Sequence, residues 1–192
     1  MIRVEDYSIF QNHMSTLKET SKDDHDGNEV FMTTSLLPVV DFDAVKDEYI
    51  EKLRVCENPK SNDALFVDGG GKSVFIEFKN GYMDRKKQFD VRKKVFDSLL
   101  LFTDIIGKGI SYTRKHTNYI LVYNEAKSLE DEKTKVQSSE SRDQIANIFM
   151  SRGGSNFIKF GLEIFKNYCF NNVYTYTEEE FENRFVKEYS ET

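Results

Sequence analysis

The chain has 192 residues, of which 39% are hydrophobic, and its formal net charge is −6, from 27 Lys and Arg against 33 Asp and Glu. This length and apolar content are enough for one packed core, so the composition excludes a globally disordered chain. No apolar run approaches the ~18 residues that a membrane-spanning helix needs, and a membrane protein is therefore not expected.

The cysteines and the first residues of the chain predict a cytoplasmic location. Cys56 and Cys169 lack the close spacing of a zinc or redox motif, so both are expected to be buried free thiols in a reducing compartment. The first ten residues, MIRVEDYSIF, lack the basic and then apolar layout of a signal peptide.

The first forty residues predict only short elements. Residues 1–19 fit a short helix or strand, and residues 19–29 are polar enough for a loop. Residues 30–40 are rich in β-branched side chains but contain Pro38, which favours an extended element at the edge of a sheet.

The next segment, from Phe42 to Cys56, predicts a helix. Asp41 or Asp43 can cap its first turn, because a short acidic side chain accepts a hydrogen bond from a free backbone N–H group. Its apolar positions recur at helical spacing; they are Val45, Tyr49, Leu53 and Cys56.

Two apolar runs flank residues 69–71, which are all glycine, and predict a β-hairpin. Glycine accepts the positive φ that tight hairpin turns demand. If the turn is centred on Gly70, residues equally distant from it lie opposite each other, so Asp63 faces Glu77. Because side chains alternate along a strand, Lys79 shares the face of Glu77. The hairpin therefore predicts two carboxylates and a lysine on one face.

Two opposed acids repel, so Asp63 and Glu77 need a cation between them or a shared proton. A divalent metal is the usual solution, and Mg²⁺ is typically held by one or two carboxylates together with water and phosphate. Such a metal activates water and neutralises charge on a phosphodiester, and a lysine beside it orients water or stabilises negative charge.

After the hairpin, the sequence predicts a long helix and then a buried strand. The helix runs from Asp84 to Ile106, where apolar residues recur every three or four positions until Gly107. The strand, from Asn118 to Tyr123, is a continuous apolar run of the kind buried on both faces. A strand, a long helix and another strand favour a crossover into a mixed sheet.

The remaining residues predict a polar insertion and a C-terminal extension. The insertion covers about 124–143, and the extension, about 144–192, begins with an aromatic-rich helical run over 157–168. Residues 173–176 fit a short strand, and Thr177 with Glu180 forms a capping-box start for a last helix through Phe185.

The acid and lysine pattern of the hairpin resembles that of the PD-(D/E)XK nuclease superfamily. Asp63, Glu77 and Lys79 carry the resemblance, supported by the apolar residues before Glu77. It covers about residues 43–123 and implies a single α/β domain, 1–192, whose mixed central sheet contains an α-β-β-α-β core. The proline that precedes the first acid in many members is replaced here by Asn62.

The resemblance also implies further site residues. A glutamate from the helix before the core strands often binds the metal, which makes Glu48 the first candidate and Glu51 the second. Gln88 and Lys87, at the start of the long helix, would contact the site, with Arg85 near the substrate phosphate. The expected cofactor is Mg²⁺ or Mn²⁺, and the expected substrate is nucleic acid.

The distribution of charge leaves two functions open. Residues 72–115 contain eleven Lys and Arg against five Asp and Glu, so this segment carries +6 and the remainder −12. A local basic segment suits phosphate binding and favours a nuclease. The acidic remainder favours the alternative, a catalytically inactive protein of the same fold that binds a protein partner as an immunity or regulatory factor.

Overall fold

The structure is a computed structural model, and it describes residues 2–23, 29–53, 55–128 and 157–190. The strands are β1 (Met14–Thr16), β2 (Lys22–Asp23), β3 (Val30–Phe31), β4 (Pro38–Asp41), β5 (Ala64–Val67), β6 (Ser73–Lys79), β7 (Thr117–Tyr123) and β8 (Asn172–Thr177). The main helices are α1 (Ser8–Asn12), α2 (Leu17–Thr20), α3 (Phe42–Glu51), α4 (Arg85–Ile105), α5 (Ile110–His116), α6 (Glu178–Phe181) and α7 (Lys187–Ser190). None of the helices in the described ranges has the length and apolar character needed to cross a membrane.

The central sheet is mixed and has the strand order β1-β4-β5-β6-β7-β8. Antiparallel pairing joins β1 to β4, β4 to β5 and β5 to β6, whereas β6, β7 and β8 are parallel. The long helix α4 lies between β6 and its parallel neighbour β7 in the chain, as the alternation of strand, helix and strand predicts. The predicted α/β class with a mixed sheet is therefore confirmed.

The sheet buries a hydrophobic core on each face. Leu65 and Phe75 pack on one face against residues of α3 and α4. Phe66 lies on the other face, where Phe181 and its neighbours in the C-terminal helical segment cover the sheet. Side chains alternate along a strand, so Glu77, two residues after Phe75, projects toward the face that α4 covers.

The predicted long helix and the strand after it agree with the structure to within one residue. Asp84 is the N-cap of α4, and its side chain accepts a hydrogen bond from the backbone N–H of Lys87 at 2.7 Å. Gly107, with φ at 62°, follows the end of the helix. A capped helix of this length holds its inner face in a fixed position against the sheet.

The helix predicted from Phe42 to Cys56 is shorter in the structure and ends at Glu51. Leu53 is 46% exposed, because the helix ends before its position on the apolar stripe. For the same reason Cys56 is exposed, so the prediction of a buried thiol was wrong for Cys56, whereas Cys169 is buried.

The edge element predicted over residues 30–40 is divided into β3 and β4. The prediction of an edge was wrong for β4, which lies between β1 and β5. Pro38 is the first residue of β4, where a missing N–H group is tolerated. In the predicted loop over 19–29, the described residues include the end of α2 and the short strand β2.

The helical run predicted over residues 157–168 was also wrong. The structure contains one 3₁₀ turn there, Glu163–Phe165. Phe160, Gly161 and Asn167 have φ values of 61°, 64° and 60°, which interrupt a right-handed helix. Most of the predicted polar insertion lies outside the described residues.

The end of the chain follows the prediction more closely. The strand expected over 173–176 is β8, which joins the central sheet beside β7. The capping box of Thr177 and Glu180 is present at the start of α6. The helical segment continues past Phe185 through a π-helical turn, Glu182–Val186, into α7.

Candidate active site

The hairpin of β5 and β6 has the predicted register. Leu65 pairs with Phe75, and Val67 pairs with Ser73, so residues equally distant from Gly70 are opposite each other. Continuing this register beyond the strand end places Asp63 opposite Glu77. The two acids therefore lie at the end of the hairpin that is remote from its glycine turn.

The ammonium group of Lys94, on α4, lies between the two carboxylates. Its Nζ atom is 2.9 Å from Asp63 Oδ1 and 2.7 Å from Glu77 Oε1. One cationic atom thus contacts both acids. The cation that their opposition demands is, in this structure, a lysine side chain.

The other predicted residues of the hairpin complete this cluster. Lys79 forms an ion pair with Glu77 Oε1. Asp63 Oδ2 accepts a hydrogen bond from the backbone N–H of Phe78 at 2.6 Å, which fixes the orientation of its carboxylate. Glu77 is fully buried, and its Oε2 atom has no hydrogen-bond partner among the residues that the structure describes.

Burial and mutual repulsion perturb the ionisation of this cluster. Burial raises the pKa of Glu77, and the Asp63 charge raises it further, while Lys79 and Lys94 oppose the rise. Burial disfavours the charged form of Lys94, but the carboxylates of Glu77 and Asp63 outweigh it and raise the pKa of this lysine. Burial, Glu77 and Asp63 together raise the pKa of the Tyr119 hydroxyl, which lies inside the core near the two acids.

Asp63, Lys79 and Lys94 line a groove of about 720 Å³, whereas the fully buried Glu77 lies behind them and does not line it. Both signs of charge line it. The cationic residues of its wall are Lys22, Lys60, Lys79, Lys87 and Lys94, and the acidic ones are Glu19, Asp23, Asp41, Asp43, Asp63 and Asp90. The groove is large enough for a small molecule or for one or two nucleotides of a polymer.

A third acid, Asp43, stands close enough to Asp63 for their charges to interact. Burial raises the pKa of Asp43, a hydrogen bond from the Ser61 hydroxyl lowers it, and the Asp63 charge raises it again. The N-cap of α3 is Asp41, which accepts from the backbone N–H of Ala44 at 3.0 Å, so Asp43 is not used as the cap and instead lines the groove. From the sequence, Asp43 was predicted only as a possible N-cap of this helix.

The structure places the two glutamates of α3 away from this cluster. Glu48 Oε2 is 2.8 Å from Nε2 of His13, next to the edge strand β1. Glu51 is the exposed last residue of the helix. Neither is among the residues that line the groove.

The three residues proposed from the start of α4 are placed differently from one another. Lys87 lines the groove. Gln88 donates a hydrogen bond from Nε2 to the backbone carbonyl of Met83 at 2.9 Å, so its amide is used within the turn before the helix. Arg85 is exposed and does not line the groove.

Lys94 is the member of the cluster that the sequence did not predict. It lies three residues after the buried Val91 and four before the buried Ser98, so the helical period places it on the inner face of α4. Ser98 accepts a hydrogen bond from the backbone N–H of Asn62 at 2.8 Å, which ties this face to the residue before Asp63. A lysine on an apolar stripe was the available signal.

The cluster offers a metal ion only two carboxylate ligands. Within the described ranges, no group of three or more His, Cys, Asp or Glu side chains is placed to hold a metal ion. Asp63 and Glu77 supply two carboxylates, which is enough for Mg²⁺ when water and a phosphate complete the shell. The buried Oε2 atom of Glu77 is available for such a bond.

Comparisons of the chain with protein-family models, curated proteins and solved structures find no match. The resemblance to the PD-(D/E)XK superfamily therefore stays a prediction from the sequence.

Proposed function

We propose that this chain is a metal-dependent nuclease that hydrolyses phosphodiester bonds in nucleic acid. The observation that carries the proposal is the convergence of Asp63 and Glu77 on one cationic atom, with Lys79 beside them. Asp63, Lys79 and Lys94 also line a groove. Two carboxylates and a lysine in this arrangement suit metal-assisted attack of water on a phosphodiester.

The order of elements around the cluster supports the superfamily resemblance. Helix α3 precedes the antiparallel pair β5 and β6, and α4 then leads, through the short α5, to β7, which is parallel to β6. This is the α-β-β-α-β order expected over residues 43–123. The candidate residues stand on β5, β6 and α4, the elements that such a core uses.

Each side chain has a role in the proposed reaction. Asp63 and Glu77 would hold Mg²⁺ or Mn²⁺, which when bound supplies an activated water and neutralises phosphate charge. Lys79 orients the attacking water or stabilises the negative charge that develops on the phosphate. Lys87 and Lys60 line the same groove and contact neighbouring phosphates of the strand.

Lys94 defines the resting state of the proposed enzyme. Its ammonium contacts the same two carboxylates that would bind the metal, so metal and ammonium compete for those oxygen atoms. A metal held by Asp63 and Glu77 would leave the Lys94 ammonium without these partners, and Lys94, which already lines the groove, would then contact the substrate backbone.

The second candidate function is a protein-binding module on an inactive nuclease-like scaffold. The observation in its favour is the same Lys94, because a lysine that permanently bridges both acids, together with Lys79 on Glu77, balances their charge without a metal. The six acidic residues in the groove wall also weaken its attraction for a polyanion.

The proposal is tested by cleavage assays with Mg²⁺ or Mn²⁺ on single-stranded DNA, duplex DNA and RNA. Glu77→Gln and Lys79→Met each remove one member of the cluster and should lower the cleavage rate about a hundredfold or more. Glu48→Gln and Lys86→Met are the matched controls, because both residues lie outside the groove, and they should keep the wild-type rate.

Chelation of the metal should abolish cleavage by the wild-type protein. Cleavage that persists unchanged in Glu77→Gln would come from a contaminant or another site and would contradict the proposal. If no substrate is cleaved and no metal binds, the protein-binding module becomes the better account.

A further inference from the structure

A second pocket, of about 300 Å³, lies on the opposite face of the sheet from Lys94. Its floor is formed by the parallel strands near their amino ends, where Val74, Asn118 and Asn172 stand side by side in register. The next row on the same face contains Ile120 and Tyr174, also neighbours in register. The helical segment from α6 to α7 forms the opposite wall.

Tyrosine rings supply the flat surface of this pocket. Tyr174 and Tyr176, on the same face of β8, are stacked with their ring centroids 5.4 Å apart and an interplanar angle of 22°. Tyr189, from α7, also lines the pocket. Burial raises the pKa of the hydroxyl groups of all three rings above the ordinary value of 10.0.

Cations dominate the rim of this pocket, in contrast to the mixed charge of the groove. Lys72 precedes β6, Lys115 lies at the end of α5, and Arg184 lies over the ring of Tyr176 at 5.6 Å. The only acid in the lining that the structure describes is Glu188. The pocket is therefore locally positive on a chain whose net charge is −6.

We infer that this pocket binds a nucleotide unit, with the base against Tyr174 and the phosphate between Lys72 and Lys115. Aromatic side chains bind bases of any type by stacking, and lysines at the rim of a groove bind the phosphate by charge. The bound unit is a free nucleotide or one nucleotide of a single strand, since both carry a base that can stack and a phosphate anion. The site is separate from the groove and does not depend on the catalytic proposal.

The test measures equilibrium binding in EDTA, where no metal-dependent cleavage occurs. The probes are AMP, inorganic phosphate, a short fluorescent oligothymidylate and a duplex of the same length. Tyr174→Leu keeps apolar contact with the core but removes the stacking ring, and should weaken binding about tenfold. Lys72→Glu with Lys115→Glu should weaken binding at least as much and flatten its dependence on salt.

Lys52→Glu with Lys166→Glu is the matched control, since both lysines are exposed and outside the pocket. It should bind as the wild type does. Binding of AMP that both pocket variants weaken supports the site and identifies a free nucleotide. Binding of the oligothymidylate but not of AMP or the duplex, again weakened by both pocket variants, supports the site and identifies a single strand. The inference is overturned if neither AMP nor the oligothymidylate binds. It is also overturned if phosphate binds as well as AMP and Tyr174→Leu has no effect, or if the control variant weakens binding as much as the pocket variants do.

Discussion

Lys94 is the residue that allows Asp63 and Glu77 to face each other. The Glu77 carboxylate is fully buried, and an ionised carboxylate without a partner costs several kcal/mol in such a position. Lys94 Nζ contacts one oxygen of each acid, and Lys79 contacts Glu77 as well. The lysine therefore contributes to the stability of the folded chain as well as to the candidate site.

We expect Lys94→Met to lower the free energy of unfolding at neutral pH by about 3 kcal/mol. This is the lower end of the range for a broken buried pair, because the Lys94 and Asp63 side chains are still 18% and 16% exposed. Urea unfolding measures the loss. Lys93→Met is the matched control, since Lys93 pairs with Asp97 on the helix surface and should cost less than about 1 kcal/mol. Equal losses for the two variants would contradict this role of Lys94.

The raised pKa of Glu77 predicts that the free energy of unfolding depends on pH. Burial raises this pKa above the ordinary value of 4.5, with the Asp63 charge adding to the rise, so the folded chain holds the proton more tightly than the unfolded chain. The contribution of Glu77 to the free energy of unfolding must then fall as pH rises from 4.5 to its folded pKa.

Glu77→Gln removes this titration. The free energy of unfolding of Glu77→Gln, relative to that of the wild type, should therefore increase with pH in the same window and level off above it. Urea unfolding of both proteins at a series of pH values measures the difference. A difference that does not change with pH would show that the pKa of Glu77 is the same in the folded and unfolded chains.

At the scale of elements, the glycine turn fixes the hairpin that aligns the two acids. Gly71 has φ at 78°, a conformation that strains any residue with a side chain. Gly69 has no positive φ, and a Cβ atom there would meet nothing within 4 Å. The two positions therefore provide a matched pair for a test of the turn.

We expect Gly71→Ala to lower the free energy of unfolding by about 1–2 kcal/mol, because alanine is strained at positive φ. Gly69→Ala should leave it within about 0.5 kcal/mol of the wild type or raise it slightly. Thermal or urea unfolding of the two variants distinguishes these outcomes. A larger loss for Gly69→Ala than for Gly71→Ala would mean that the turn has a different geometry.

Elements with strong local signals were the ones that the sequence predicted well. The hairpin and α4 each combine a clear periodicity with a turn or capping residue at the end, and β7 is a continuous apolar run. The run over residues 157–168 had helical spacing of its apolar residues, but three residues with positive φ interrupt it. Its buried side chains, such as Phe165, are held by packing against other elements, which the local sequence does not reveal.

In the whole molecule, the candidate site combines residues that are close together in the sequence with one residue that is distant in the sequence. Asp63, Glu77 and Lys79 belong to one hairpin, so their proximity followed from register alone. Lys94 contacts Asp63 across 31 residues of chain, and that contact depends on how α4 packs against the sheet. The sequence could therefore predict that a cation lies between the acids, but not that a lysine supplies it.

The sheet also separates the two proposed sites. β6 begins next to Lys72, at the rim of the tyrosine pocket, and ends at Lys79, beside the groove. The two pockets lie at opposite ends of this strand and share no lining residue. Substitutions in one should therefore leave the other unchanged, which lets the two proposals be tested independently.

We propose that Asp63 and Glu77 form a metal site that Lys94 occupies in the resting state. A titration with Mn²⁺, followed by calorimetry in the wild type, Glu77→Gln and Lys94→Met, tests it most directly. One ion should bind per wild-type chain, binding should be lost in Glu77→Gln, and affinity should increase about tenfold in Lys94→Met, because a competing positive charge has been removed. Failure of both the wild type and Lys94→Met to bind Mn²⁺ at millimolar concentration, with or without nucleic acid, would contradict the claim.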